Sequence, residues 1–173
     1  KKNIEKWKNL ADQVFSSIRE FFYNENLGYL SDCLHASPGM PAKDAQADDA
    51  LRPNQLFALT LGAVNDQDIM QEVIRNCTEL VIPGSIRSLA DRPVTKPLEV
   101  VHNGRALNDP CHPYQGVYTG DEDTRRKPAY HNGTAWAWVF PSFCEAWVMA
   151  FGKHANETAL SLLASSAEII NTG

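Results

Sequence analysis

Tyr130 to Trp147 reads YHNGTAWAWVFPSFCEAW, and the rest of the chain is best read outward from it. The stretch holds three of the four tryptophans: Trp136, Trp138 and Trp147. It opens on Tyr130, His131 and Asn132, three groups that both donate and accept hydrogen bonds. After Gly133 an almost unbroken apolar run continues through Ala150. The spacing predicts a polar lip leading into an aromatic helix, with Pro141 either kinking it or marking where regular helix resumes. Two uses fit that pattern. Indole stacks on the apolar C–H face of a sugar ring while the polar lip pairs hydroxyls. The same tryptophans could equally be core packing. A membrane span is disfavoured, because Pro141 and Glu145 interrupt the apolar run and it is the only such run.

Working back toward the N-terminus, charge is packed just upstream of the lip, as Asp121-Glu122-Asp123 and Arg125-Arg126-Lys127. Ser85 to Lys127 has little helical periodicity, and Asn103-Gly104 predicts a hairpin turn. Gln67 to Val81 reads as a helix capped by Asn65 or Asp66 and ended by Pro83-Gly84. Asp48-Asp49-Ala50-Leu51-Arg52-Pro53-Asn54-Gln55 precedes a buried helix expected over Leu56 to Val64. There Asp49 suits a cap, Pro53 a first turn, and Arg52 a salt bridge to Asp48 or Asp49. Caps do not explain why Asn54 and Gln55 open a buried helix. Gly28 to Asp49 is a long connector, which favours a binding role, and Tyr29-Leu30 suits a short strand. Asn3 to Tyr23 is the clearest helix, with Ile4, Trp7, Ala11, Val14, Phe15, Ile18 and Phe22 on one face. Beyond the aromatic stretch, His154 or Asn156 starts a last helix. The expectation is an all-α segment of about five helices with long loops and no internal domain boundary.

The 173 residues are of single-domain size, and 43% hydrophobic with 21% charged residues is ordinary for a globular chain. A net charge of −5 without a basic stripe excludes nucleic acid as a natural partner. Cys33, Cys77, Cys111 and Cys144 are widely spaced, as expected of reduced thiols in a cytoplasmic protein. The N-x-[ST] triplets at Asn76, Asn132 and Asn156 read as chance without a signal peptide.

Paired carboxylates are the main catalytic possibility. Asp48, Asp49, Asp109, Asp121, Glu122, Asp123 and Glu145 are available, although acidic loops are commonly just solvated. Inverting glycoside hydrolysis sets two carboxyl groups roughly 6.5–9.5 Å apart around a water. Cys111-His112, His102 and His131 lack a recurrent metal-ligand spacing, so no metal is expected. No G-x-S-x-G motif, phosphate loop or dinucleotide fingerprint is present, and no cofactor is expected.

Two clusters, Asp48–Gln55 and Tyr130-His131-Asn132-Gly133-Thr134-Ala135-Trp136-Ala137-Trp138, resemble the glucosidase domain of glycogen debranching enzymes, the amylo-α-1,6-glucosidases. Pro83-Gly84-Ser85-Ile86-Arg87-Ser88-Leu89 is similar to a third family segment. Leu107-Asn108-Asp109-Pro110, His112 to Gly116, Tyr118 and Gly120-Asp121 also fit, most closely the bacterial members. The resemblance implies part of an (α/α)6 barrel, with twelve helices in two layers. It implies metal-free, inverting hydrolysis of α-1,6-linked glucose at glycogen branch points. On this resemblance Asp49, Arg52, Asn54, Gln55, Tyr130, His131, Trp136 and Trp138 line the glucose pocket. The family's general acid and base are expected before Lys1 and after Gly173. The chain, which begins without Met, therefore reads as the middle-to-late part of a larger catalytic domain whose remainder is its partner. Its first and last helices would then expose apolar faces and promote self-association. A complete, non-catalytic carbohydrate-binding helical module is the rival reading. Another (α/α)6 glycosidase, trehalase- or glucoamylase-like, is the third.

Overall fold

A computed structural model describes residues 2–172. Helical turns make up about half of it. Its helices are α1 (Lys2–Ser17), α2 (Leu56–Thr60), α3 (Gln67–Cys77), α4 (Lys127–Tyr130), α5 (Phe140–Phe151) and α6 (Asn156–Thr172). The expectation of an all-α chain needs correction, because the long connectors carry small antiparallel sheets. β1 (Tyr23–Asn24) pairs with β2 (Tyr29–Leu30), and β3 (Leu34–His35) with β4 (Gln46–Ala47). β5 (Val81–Ile82), β6 (Ser85–Arg87) and β9 (Ala135–Trp136) form one sheet with β6 in the middle. β7 (Val101–His102) pairs with β8 (Arg105–Ala106). Connectors this long hold backbone groups that must find partners away from water, and short ladders supply them.

α5 is the centre of the core and packs against α2, α3 and α6. Its Phe140, Phe143, Cys144, Ala146 and Ala150 are buried, and Val73, Ile74 and Cys77 of α3 are buried in the same cluster. Fully burying a phenylalanine contributes about 1.5–3 kcal/mol. All four cysteines are free. Burial pushes the Cys77 thiol up to about 12 and that of Cys144 up to about 11. Both therefore behave as small apolar side chains rather than as nucleophiles.

Several boundaries move from their expected places. The aromatic stretch is not one helix. Ala135 and Trp136 are extended and pair with Arg87 and Ile86, Trp138 lies in a turn, and α5 starts only at Phe140. Pro141 explains the late start, since it lacks an N–H and fits a first helical turn better than an interior. α2 stops at Thr60 rather than reaching Val64, and Leu61 is exposed. α3 has Asp66 as its cap, accepting from the Asp68 and Ile69 N–H groups. It ends at Cys77, and β-branched Val81 and Ile82 go into a strand instead. The hairpin at Asn103-Gly104 is present, with φ of 49° and 74°, values that a two-residue primed turn requires.

α1 runs to Ser17 and continues as one wider turn over Ile18–Phe22. Its apolar stripe is largely uncovered: Ile4, Trp7, Leu10, Val14 and Phe15 are exposed. Leu160, Leu163, Ile169 and Ile170 of α6 are exposed as well. The exposed apolar faces expected of the first and last helices are therefore present. No described helix is long and apolar enough to cross a membrane.

Candidate functional site

The Asp48–Gln55 cluster, the Pro83–Leu89 segment and the Tyr130–Trp138 cluster are far apart in sequence and meet in space. β6 brings the second alongside the third, with Ile86 opposite Trp136 and Arg87 opposite Ala135. Just beyond the ladder, the Ser88 N–H donates to the Thr134 carbonyl at 3.0 Å. The Gly133 N–H donates to Ser88 Oγ at 3.0 Å.

Arg52 ties the first cluster to the other two. Its guanidinium donates to the carbonyls of His131 and Ser88, and to Asn132 Oδ1 at 2.9 Å. Its Nε lies 3.6 Å from the Asp32 carboxylate. The side chain is only 13% exposed. Burial pulls the guanidinium below its usual range, while Asp32 and then Asp48 push it back up. It remains the cation of the site. The salt bridge from Arg52 to Asp48 or Asp49 expected from the sequence is not formed, because Asp32 is the acidic partner. Asn132, itself 6% exposed, also donates to the Pro128 carbonyl and is thereby fixed as an acceptor for Arg52.

Asp49 does not cap a helix. Both its carboxylate oxygens accept from the Thr95 N–H at 3.0 Å, and its carbonyl accepts from the Tyr29 hydroxyl. Gln55 is buried between the Leu30 N–H, which donates to its Oε1, and the Arg52 carbonyl, which accepts from its Nε2. Asp49 and Gln55 thus brace the loop. Asn54 is exposed and donates to Asp32 Oδ1 at 2.9 Å.

The aromatic members form one row. Tyr130 lies against His131 with ring centres 4.5 Å apart, and both touch Trp136, at 5.7 and 5.1 Å. Trp136 and Trp138 are 5.2 Å apart, and Trp138 stacks on Phe57 of α2 at 6.0 Å. Tyr118 extends the other end, 5.8 Å from Tyr130. The row is open to solvent: Trp138 is 61% and Tyr130 48% exposed. Exposed indole at that level is unusual for residues whose only task is core packing. An open aromatic ledge beside hydroxyl-pairing groups can seat a flat apolar ring face.

Of the residues the sequence singles out, Tyr130, His131, Trp136 and Trp138 share one row and Arg52 joins the clusters. Asp32 and Phe57 join them without being singled out, and Ser88 and Tyr118 stand in the family-like segments without being assigned to the pocket. Asp32 sat inside a long connector whose length was its only signal. Phe57 was legible as three residues after Asn54 on one helical face.

Both carboxyl groups of the Asp48–Gln55 cluster are engaged within the protein: Asp48 accepts from the Ala50 N–H and meets His35, and Asp49 accepts from the Thr95 N–H. Asp121 caps its own turn and is held below the usual carboxylate range by the Thr124 hydroxyl, then by the Thr124 N–H. No match was found among curated proteins, and none among solved structures. A family model described as Amylo-alpha-1,6-glucosidase matches residues 1–171. The match spans nearly the whole chain, and the chain belongs to the amylo-alpha-1,6-glucosidase family.

Proposed function

We propose that this chain supplies the substrate-contacting face of a cytoplasmic glucosidase that removes α-1,6-linked glucose from glycogen branch points with inversion. The open row from Tyr118 through Trp138 to Phe57 carries the reading. A pyranose stacks on Trp136 or Trp138. Exposed Asn54, His131 and Asp32 offer pairs for its hydroxyls. Arg52, engaged by its protein partners, holds the lip and the Asp48–Gln55 loop in register rather than binding sugar itself.

The general acid and base lie outside this chain on the same reading, in the remainder of the catalytic domain. The rest of an (α/α)6 barrel covers the apolar faces of α1 and α6. A chain without that cover self-associates through them. The reaction itself needs one protonated and one ionised carboxyl group across the scissile bond, with a water between, and no metal.

Trp138→Ala is expected to weaken binding of a branched α-glucan about tenfold, a loss of about 1.4 kcal/mol. Affinity electrophoresis in glycogen gels reads this directly. Unchanged retardation of Trp138→Ala together with Trp136→Ala would rule out the aromatic row as the contact surface.

A further inference from the structure

The connector before Asp49 holds a second constellation that the glucan-binding reading does not use. β3 and β4 pair with Leu34 opposite Ala47 and His35 opposite Gln46. Alternate residues of a strand share a face, so Cys33 and His35 point to one side. The Asp48 N–H donates to the Cys33 carbonyl at 3.0 Å, which brings Asp48 across to that side.

The three side chains converge. His35 Nε2 is 2.9 Å from Asp48 Oδ2, Cys33 Sγ is 3.9 Å from His35 Nε2, and Cys33 Sγ is 3.8 Å from Asp48 Oδ2. All three ligand atoms lie within 4.8 Å of one another. Zinc bonds of about 2.3 Å to sulfur and 2.0–2.2 Å to nitrogen or oxygen, set tetrahedrally, put ligand atoms about 3.4–3.6 Å apart. Shifts of about half an ångström, within reach of side-chain torsions, convert the observed triangle into that one. Asp48 is already aimed: it is 3% exposed, and its Oδ1 accepts from the Ala50 N–H at 2.7 Å, leaving Oδ2 to face the other two groups.

We propose that Cys33, His35 and Asp48 form a binding site for a zinc ion, with the fourth position open to solvent beside the exposed Cys33. The donor set selects the metal. Sulfur, imidazole nitrogen and one carboxylate oxygen suit zinc, whereas calcium and magnesium prefer all-oxygen shells. One thiolate and one carboxylate balance a dication. On binding, the Cys33 proton leaves to solvent and the imidazole carries its proton on Nδ1, which frees Nε2 for the metal. Without a cation, burial and then the neighbouring Asp48 and Asp32 charges push the Cys33 thiol up, and a bound dication reverses that balance. The bound ion staples the β3–β4 hairpin, and with it Asp32 and the strand that leads to Arg52.

The sequence alone did not expose this site. Cys33-x-His35 is separated from Asp48 by a loop, and only the hairpin register brings the three together.

Cobalt(II) is the probe, titrated into the reduced 173-residue chain and followed by absorbance. The expected result is one tetrahedral cobalt per chain, with visible d–d bands and a thiolate-to-cobalt charge-transfer band that zinc abolishes. Loss of even an outer-sphere partner costs 10–100-fold in metal affinity. Cys33→Ser and His35→Gln are therefore each expected to weaken binding by at least about 100-fold. Cys111→Ser, the other exposed cysteine, is expected to leave the bands in place. Absence of a charge-transfer band in the parent overturns the proposal. So does a band that survives Cys33→Ser but disappears in Cys111→Ser. Circular dichroism of each variant confirms that the comparison is between folded chains.

Discussion

Arg52→Ala is expected to cost about 3 kcal/mol of stability and to abolish glucan binding with it. The guanidinium joins three segments through the His131 carbonyl, the Ser88 carbonyl and Asn132 Oδ1. Truncation leaves the Ser88 carbonyl and Asn132 Oδ1 without this donor, and each unsatisfied buried group costs about 1–3 kcal/mol. Asn132 and Ser88 are buried, so water reaches them poorly. The Asp32 contact adds less, because that carboxylate is partly exposed and an exposed pair is worth little. Arg52→Lys is expected to recover only a small part of the loss. A single ammonium on a flexible stem cannot serve a planar fork of three acceptors. Urea unfolding measures both variants: the midpoint drops and the slope stays. A midpoint within error of the parent for Arg52→Ala would mean that the two clusters do not depend on this side chain.

The second large effect belongs to Gly133→Ala. Its φ of 142° is a region that L side chains rarely adopt, and an added Cβ would sit 2.7 Å from the Gln115 carbonyl carbon and oxygen. Both terms act together, since the clash is with backbone and not with a movable side-chain end. Strain of this kind costs about 1–3 kcal/mol before any repacking. Relief requires the lip to move away from Gln115, which breaks the bond from the Gly133 N–H to Ser88 Oγ. Trp136 is three residues on, in the strand that this turn leads into, so the aromatic row shifts as well. The expected outcome is a loss of about 2–4 kcal/mol by urea unfolding. Weaker retardation in glycogen gels should accompany it. An alanine variant with parental stability would contradict the close approach of Gln115 to the lip.

The helices were legible where an apolar stripe or a cap specifies them. Asp66 caps α3 because its side chain reaches the first free N–H groups, and the sequence displays that arrangement locally. The small sheets were mostly not legible. β9 takes Trp136 out of an apparently helical run because β6, about fifty residues earlier, offers an unpaired edge. No local pattern around Trp136 announces that edge. The roles of Arg52 and Asp49 failed for a related reason. Arg52 looked ready for an adjacent acid, yet it pairs with Asp32, farther back in the connector that leads to it. Asp49 looked like a cap but meets Thr95. Long-range partners decided both, and residue spacing carries no information about them. The aromatic residues of the lip were legible as a group, and what the sequence left open was whether they face the core or solvent.

Glucose release from a phosphorylase limit dextrin, trimmed to single α-1,6-linked glucose stubs, tests the central claim most directly. Dextrin binding is followed in the same samples. The expected result is that the 173-residue chain retains dextrin, releases no glucose, and loses its grip when Trp136 and Trp138 are both replaced by alanine. Release of glucose by this chain would place a working acid and base within it. Failure to bind dextrin at all would remove the aromatic row as a substrate face.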